Sequence, residues 1–279
     1  MAAWLQEATR ALAPVADQPR MEARRLVEFA CGWDPGQQIA SPDRTLSPDQ
    51  CTWLADAMQR RLEDEPLSRI LGRREFWGLD LSIAGATLDP RADTETLVEL
   101  VLDTCAKRAE PPAHILDLGT GSGAILLALL SHYPGATGIG IDQSPETLGV
   151  ARQNAANLGF AARTEFVLGD WLSGVEGRFD LIVSNPPYIP TEDLLNLARN
   201  VREFDDPAAL DGDADVLDFY RRTLEEAKSV LSEGGLLALE IGVNQCQSVT
   251  EIATGSGWRV IDQRADLAGI PRALVLIAC

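Results

Sequence analysis

The sequence predicts an α/β fold: a mostly parallel sheet covered by helices on both faces, preceded by a small helical domain. Three observations lead there. Apolar runs at 114–118, 137–141, 164–168, 180–184 and 235–241 alternate with helical stretches at 94–108, 123–132, 145–158 and 215–232, the rhythm of strands joined by helical crossovers. A glycine-rich turn separates the first of these strands from its helix. Residues 2–72 contain no such alternation and read as helices throughout.

Within the helical part, Ser47-Pro48-Asp49-Gln50 supplies an N-cap, a proline at the first helical position and a capping-box glutamine. Trp53, Leu54, Ala57, Met58, Arg61 and Leu62 follow at helical spacing. A segment from Pro19 repeats the pattern with Leu26, Val27, Phe29 and Ala30. From Arg74, "REFWGLDLSI" alternates about a glycine, as a hairpin does. The expected organisation is therefore a helical domain over 1–73, a hairpin linker over 74–90 and an α/β domain over 91–279. At the end of the chain, "WRVIDQ" and "ALVLIA" lie too close for a helical crossover and predict an antiparallel pair at the sheet edge.

Composition narrows the function. The net charge is −18, yet residues 1–75 are close to neutral, with ten arginines against twelve carboxylates. The chain has only Lys107 and Lys228 as lysines. Phosphate backbones are gripped by Lys and Arg, so direct nucleic-acid binding is not expected. No apolar run approaches a membrane span and no signal-like N-terminal pattern is present, which makes a cytoplasmic, membrane-independent protein the expectation. Five scattered cysteines form neither a CxxC pair nor a zinc pattern, so no metal is expected, and His114 and His132 read as structural residues.

"HILDLGTGSGAILLALL" places a strand, the turn Gly119-Thr120-Gly121-Ser122-Gly123 and a helix in sequence. The glycines permit a tight turn and close approach of backbone to a ligand, while the helix start offers free amides. Such turns serve several cofactors. Two later positions sharpen the reading. The next strand, "GIGID", ends on Asp142, a carboxylate able to accept both hydroxyls of a ribose. The third, "FVLGDW", ends on Asp170 and Trp171, able to accept from an adenine amino group and to cover its ring. All fall at the carboxyl ends of parallel strands, where ligands of such sheets bind, and together they predict an adenosine pocket.

The fourth strand runs through "DLIVSNPPYIP" into Asn185, Pro186, Pro187 and Tyr188. Proline lacks a backbone N–H, so the pair stops the ladder and fixes a rigid corner. The free Pro186 carbonyl and Asn185 Oδ1 then make an acceptor-only pocket suited to an NH2 group. An amide nitrogen is conjugated, with a rotational barrier of about 18–20 kcal/mol. Two fixed acceptors could hold both its N–H bonds and turn the lone pair toward an electrophilic methyl, positioning that is worth up to about 7–11 kcal/mol. Tyr188 can pack on the planar group and face the charge developing on nitrogen. The pocket fits a sulfonium methyl donor rather than a hydride acceptor, and it demands no general base.

"REFWGLDLSIAGATLDPRADTETLVE", "ILDLGTGSGAILLAL", "GDW", "IVSNPPYIP" and "LDFYRRTLEEAKSVLSEGGLLALEIG" together resemble the HemK/PrmC protein-glutamine methyltransferases. That family methylates the Gln of the Gly-Gly-Gln motif in class I peptide chain release factors. The resemblance implies a class I, Rossmann-like, seven-stranded S-adenosylmethionine-dependent methyltransferase domain behind a helical substrate-docking domain. It implies cofactor contacts at Gly119, Thr120, Gly121, Ser122, Gly123, Asp142, Trp171 and Asn185, and glutamine contacts at Asn185, Pro186, Pro187 and Tyr188. The chain departs from the family pattern where Pro90-Arg91-Ala92 replaces Pro-Arg-Pro with Asp89 before it, where Asp206-Pro207 replaces Glu-Pro, and where Gly212-Asp213 replaces Gly-Gly. Two other functions share parts of these motifs: methylation of an exocyclic base amine, which the acidic charge disfavours, and a non-catalytic cofactor-binding module, which would not need Asn185 and Tyr188.

Overall fold

The computed structural model describes residues 1–85 and 87–279. It divides into two compact units, Met1–Arg73 with Ala198–Phe204, and Arg74–Leu197 with Asp205–Cys279. The first contains α1 (Ala2–Leu12), α2 (Pro19–Cys31), α3 (Pro35–Ala40), α4 (Pro48–Leu62) and α5 (Leu67–Leu71). Helix α4 begins with the expected capping box: Ser47 Oγ accepts from Gln50 N at 3.2 Å and Gln50 Oε1 from Ser47 N at 2.8 Å. Leu26, Val27, Leu54, Ala57 and Ile70 form its core. Leu62 and Phe29, expected on the buried faces, are instead exposed, and Phe29 stacks on Trp53. Arg61 is buried, and its charge is met by Glu22 at 2.7 Å and the Val15 carbonyl at 2.6 Å.

The second unit opens with a hairpin of β1 (Arg73–Phe76) and β2 (Leu79–Ser82). Ala86, inside the expected linker, lies outside the described residues. The remaining elements are α6 (Glu95–Cys105), β3 (His114–Leu118), α7 (Ala124–His132), β4 (Thr137–Asp142), α8 (Pro145–Asn157), β5 (Thr164–Leu168) and β6 (Phe179–Ser184). After them come α9 (Arg199–Arg202, grouped with the first unit), α10 (Asp218–Glu226), β7 (Leu231–Glu240), α11 (Cys246–Gly255), β8 (Trp258–Ala265) and β9 (Pro271–Ala278). Seven strands form one sheet in the order β5-β4-β3-β6-β7-β9-β8. The first five are mutually parallel; β9 is antiparallel to both neighbours.

Alternation along the strands separates two cores. Leu181, Val183, Leu236 and Ala238 face α6, α7 and α8; Ile182, Leu237 and Leu239 face α10 and α11. Helix α7, apolar on every side, is buried from Ala124 through Leu130. The helix expected over 215–232 is shorter, because β7 starts early: Phe179 pairs with Leu231, then the register jumps to Leu181 opposite Leu236 across a bulge that contains Gly234 at φ +72°. His114 and His132 are structural, bonded to Thr137 Oγ1 and Trp77 Nε1. Among the described residues no helix is long and apolar enough to cross a membrane, and no group of side chains could hold a metal ion.

One buried amide ties hairpin to sheet. Asn154 of α8, 1% exposed, accepts from Ser82 N at 2.8 Å and donates to the carbonyls of Ser82 at 3.0 Å and Ser122 at 2.9 Å. Asn154→Ala strands these backbone groups and should cost about 2–3 kcal/mol of stability, seen as a lower urea midpoint. A loss below about 0.5 kcal/mol would mean that they find other partners.

Candidate active site

Parallel pairing brings five strand ends to one edge of the sheet. Strand β3 runs into Gly119, β4 ends on Asp142, β5 leads through Gly169 to Asp170 and Trp171, β6 runs into Asn185 and β7 ends on Glu240. The chain leaves β3 for β4 on one side, while β6 lies against β3 on the other. The crevice opens at this reversal, as in other open α/β sheets.

A cavity at this edge is lined by Gly119, Gly121, Asp142, Asp170, Trp171, Asn185 and Pro187 among the residues nominated from sequence. Leu88, Ile141 and Ala209 give it apolar walls. Gly119 has φ +68°, and a Cβ there would lie 3.3 Å from the Trp171 ring. Any larger residue would close the gap between turn and ring. The Trp171 ring rests on Phe219, centroid to centroid 4.3 Å. Asp142 braces the turn, its Oδ2 accepting from Gly121 N and its Oδ1 from Ser144 N, both at 3.0 Å. Asp170 is exposed and lies 3.5 Å from Arg222.

The other nominated residues sit elsewhere. Thr120 and Ser122 are buried: the Thr120 hydroxyl donates to Asp117 at 2.7 Å, and the Ser122 carbonyl accepts from Asn154. Their side chains build the turn and do not line the cavity, because a turn bounded by left-handed glycines at 119, 121 and 123 presents alternate residues to opposite sides. Gly123 is the N-cap of α7. Pro186 and Tyr188 lie past the cavity wall. Asn185 Nδ2 donates to Thr94 Oγ1 at 3.2 Å, and the Tyr188 hydroxyl donates to Glu240 at 3.3 Å. Gln245 Nε2 donates to the Tyr188 carbonyl at 3.1 Å. Gly212 lets its loop approach, since a Cβ there would fall 2.9 Å from the Pro187 carbonyl.

Thr94, Asp117, Glu240 and Gln245 escaped the sequence reading. Asp117 occupies alternate register in β3, opposite in face to Leu116 and Leu118, and that break in an apolar run was the available signal. Burial pushes its pKa up to about 7, against the Thr120 hydrogen bond and with Asp142 adding to the rise. Burial likewise pushes Glu240 up to about 7, opposed by the Thr94 hydroxyl, Arg272 and the Tyr188 hydroxyl. Tyr188 is raised by burial and then by the neighbouring Glu240 charge.

The fold and the glycine, acidic and aromatic edge define the class of cofactor-binding methyltransferase domains. A methyltransferase-domain family model matches residues 110–259, and a PrmC N-terminal domain model matches residues 3–72. The release factor glutamine methyltransferase of Rhodospirillum rubrum is 45% identical over 93% of this chain and 79% of its own length. That of Bradyrhizobium diazoefficiens is 45% identical over 92% and 88%, and that of Caulobacter vibrioides 41% identical over 98% and 94%. A methyltransferase from Pyrococcus furiosus shares the fold, with TM-score 0.54 and 20% identity over 80% of this chain and 98% of that one. The chain belongs to the release factor glutamine methyltransferase family.

Asp117 gives a pH signature. A carboxyl whose folded pKa is about 7, against an ordinary 3.8, keeps its proton in the folded state after the unfolded chain has released it, so its contribution to stability is lost as pH rises between those values. Asp117→Asn removes that loss. Its thermal midpoint relative to wild type should climb from about pH 4.5 to about 7.5 and then run parallel. A pH-independent difference would show that Asp117 titrates normally.

Proposed function

We propose that the protein transfers the methyl group of S-adenosylmethionine to the side-chain amide nitrogen of the Gln in the Gly-Gly-Gln motif of class I peptide chain release factors, and so modulates translation termination. The observation that carries this reading is the placement of Asn185 on the wall of the same cavity as Gly119, Asp142 and Trp171. An amide acceptor thus stands beside a slot with the chemistry of an adenosine site. The bare Gly119 backbone under the Trp171 ring, apolar walls and carboxylates at Asp142 and Asp170 fit the cofactor.

In this reading Asp142 accepts from the ribose hydroxyls, Asp170 from the adenine amino group, and Trp171 covers the ring. S-adenosylmethionine supplies an electrophilic methyl on a sulfonium. Asn185 Oδ1 and the Pro186 carbonyl hold the two N–H bonds of the substrate amide, and Pro187 keeps that corner rigid. Fixing both N–H bonds turns the nitrogen lone pair out of conjugation and toward the methyl. Tyr188 shields the group and faces its growing positive charge. The methylated nitrogen then loses a proton to water. Residues 1–73 serve as the docking domain, 74–90 as linker and 91–279 as the catalytic domain. We place the protein in the cytoplasm, acting without direct contact to nucleic acid.

The test is mass measurement of a purified class I release factor after incubation with enzyme and S-adenosylmethionine. One methyl group should appear on the Gly-Gly-Gln peptide and none when that Gln is replaced by Glu, which would face two acceptors with an acceptor. Asn185→Ala should reduce turnover by about a hundredfold or more. An unmodified wild-type reaction, or methylation of the Glu variant, would refute the reading.

Docking rests on charge. Arg20, Arg24 and Arg25 share α2, and Arg25 has a weak 3.9 Å partner in Glu28. Reversing all three to Glu should raise KM for the intact release factor roughly tenfold and leave a short Gly-Gly-Gln peptide unaffected. Equal KM values for the intact factor would remove these arginines from docking.

A further inference from the structure

Where β7 ends, the chain turns through residues 241–244 into α11, and Gln245 stands at the N-cap of that helix. Its main chain is fixed. Gln245 N donates to the Gly242 carbonyl at 3.2 Å, and the Gln245 carbonyl accepts from the N–H of the buried Val249 at 2.9 Å. The side chain reaches back to the Asn-Pro-Pro-Tyr corner. Its Oε1 accepts from Gly242 N at 2.9 Å and lies 3.2 Å from the Tyr220 hydroxyl, while Nε2 donates to the Tyr188 carbonyl at 3.1 Å. A backbone N–H can only donate and a carbonyl can only accept, so these two partners fix which end of the amide lies where. Gly242 makes room for the meeting. A Cβ there would fall 2.9 Å from Gln245 Cδ and Oε1 and 3.0 Å from Tyr188 Cδ2.

We infer that Gln245 is the positioning residue of Tyr188 and sets where its ring stands against the two acceptors, Asn185 Oδ1 and the Pro186 carbonyl. The inference rests on the methyl-transfer reading above. Most of the corner is fixed without Gln245. Strand pairing holds Ser184 opposite Leu239, and the proline rings fix φ at 186 and 187. A residue that precedes proline is confined to extended backbone, which restricts Asn185 and Pro186 as well. The backbone torsions that remain are ψ of Pro187 and both torsions of Tyr188, and these carry the ring. The peptide that follows them is gripped at both poles: its carbonyl by Gln245 Nε2, and the Ile189 N–H by the Leu210 carbonyl at 3.2 Å. Leu210 lies on the connection between α9 and α10, whereas Gln245 is mounted between the end of β7 and a packed helix. Gln245 therefore ties the ring to the same sheet that carries Asn185. Once the main chain is placed, the ring edge against Gly242 and the hydroxyl on Glu240 at 3.3 Å set its tilt.

Methylation of the Gly-Gly-Gln peptide tests it, with the Kd for S-adenosylmethionine and the thermal midpoint measured alongside. Gln245→Glu keeps the shape and the acceptor for Gly242 N, but it turns an oxygen on the Tyr188 carbonyl. At about pH 8 that carboxyl is ionised and has no proton to give. Its kcat should fall about five- to thirtyfold, the effect of misplacing a ring that faces a developing cation, while the cofactor Kd stays within about twofold. In a Tyr188→Ala background the same change should lower kcat by no more than about twofold, because the ring it places is absent. Wild-type kcat in Gln245→Glu would overturn the inference, since the side chain would then serve the Gly242 turn and nothing else. A loss of full size in the Tyr188→Ala background would overturn it too. If Gln245→Glu does not fold, Gly242→Ala decides alone: its methyl displaces both the Gln245 amide and the ring, and a kcat within about twofold of wild type would overturn the inference. A wild-type enzyme inactive on the peptide and on the intact factor would instead overturn the methyl-transfer reading.

Discussion

Strand β3 is paired in parallel on both sides, with β4 and with β6, and the rest of the molecule depends on that double pairing. Parallel neighbours end at the same edge, so a glycine turn, an aspartate, an Asp-Trp pair, an asparagine and a glutamate that are far apart in sequence become neighbours in space. The crossovers required by parallel pairing supply the helices that bury both faces. Asn154 and the Ser184 hydroxyl, which donates to the Leu118 carbonyl at 2.8 Å, then hold the edge in place from within the core.

How far this was legible in the sequence depends on the kind of signal. Strands, crossovers and the terminal hairpin were readable because apolar period and length are local. Gly119, Asp142, Trp171 and Asn185, each marked by an unusual residue type near a strand end, line one cavity. The Thr120 and Ser122 side chains fall outside the cavity lining, because a turn that alternates through left-handed glycines gives its side chains opposite surroundings. Thr94 and Glu240 were invisible for a different reason. Their placement against Asn185 and Tyr188 arises from register between β6 and β7 and from the position of the α6 start, and no short-range pattern encodes either.

The departures from the family pattern take physical form in the loops around the corner. Asp206 caps the turn after it, accepting from Ala208 N at 2.9 Å, a reach two residues forward that a short carboxylate makes well. Asp213 stands where φ is +62°, a conformation glycine takes freely and aspartate tolerates better than most residues. Its amide is met by Asp211 Oδ1 at 2.9 Å, which offsets part of the strain. Both substitutions therefore preserve the loop that Gly212 presses against Pro187.

A corner built from acceptors also selects among nitrogen groups. Prolines offer no N–H, Glu240 accepts the Tyr188 hydroxyl, and Asn185 has its Nδ2 on Thr94, which leaves its oxygen to accept. An ammonium such as a lysine side chain could be drawn to such acceptors, but they would stabilise its charged form, and a protonated amine has no lone pair to give. A neutral primary amide has two N–H bonds to match two acceptors and keeps its lone pair, which the same two bonds orient. Holding and activating are thus one act for an amide and opposed acts for an amine. On the proposed reading, that difference lets the site choose glutamine over the more basic side chain.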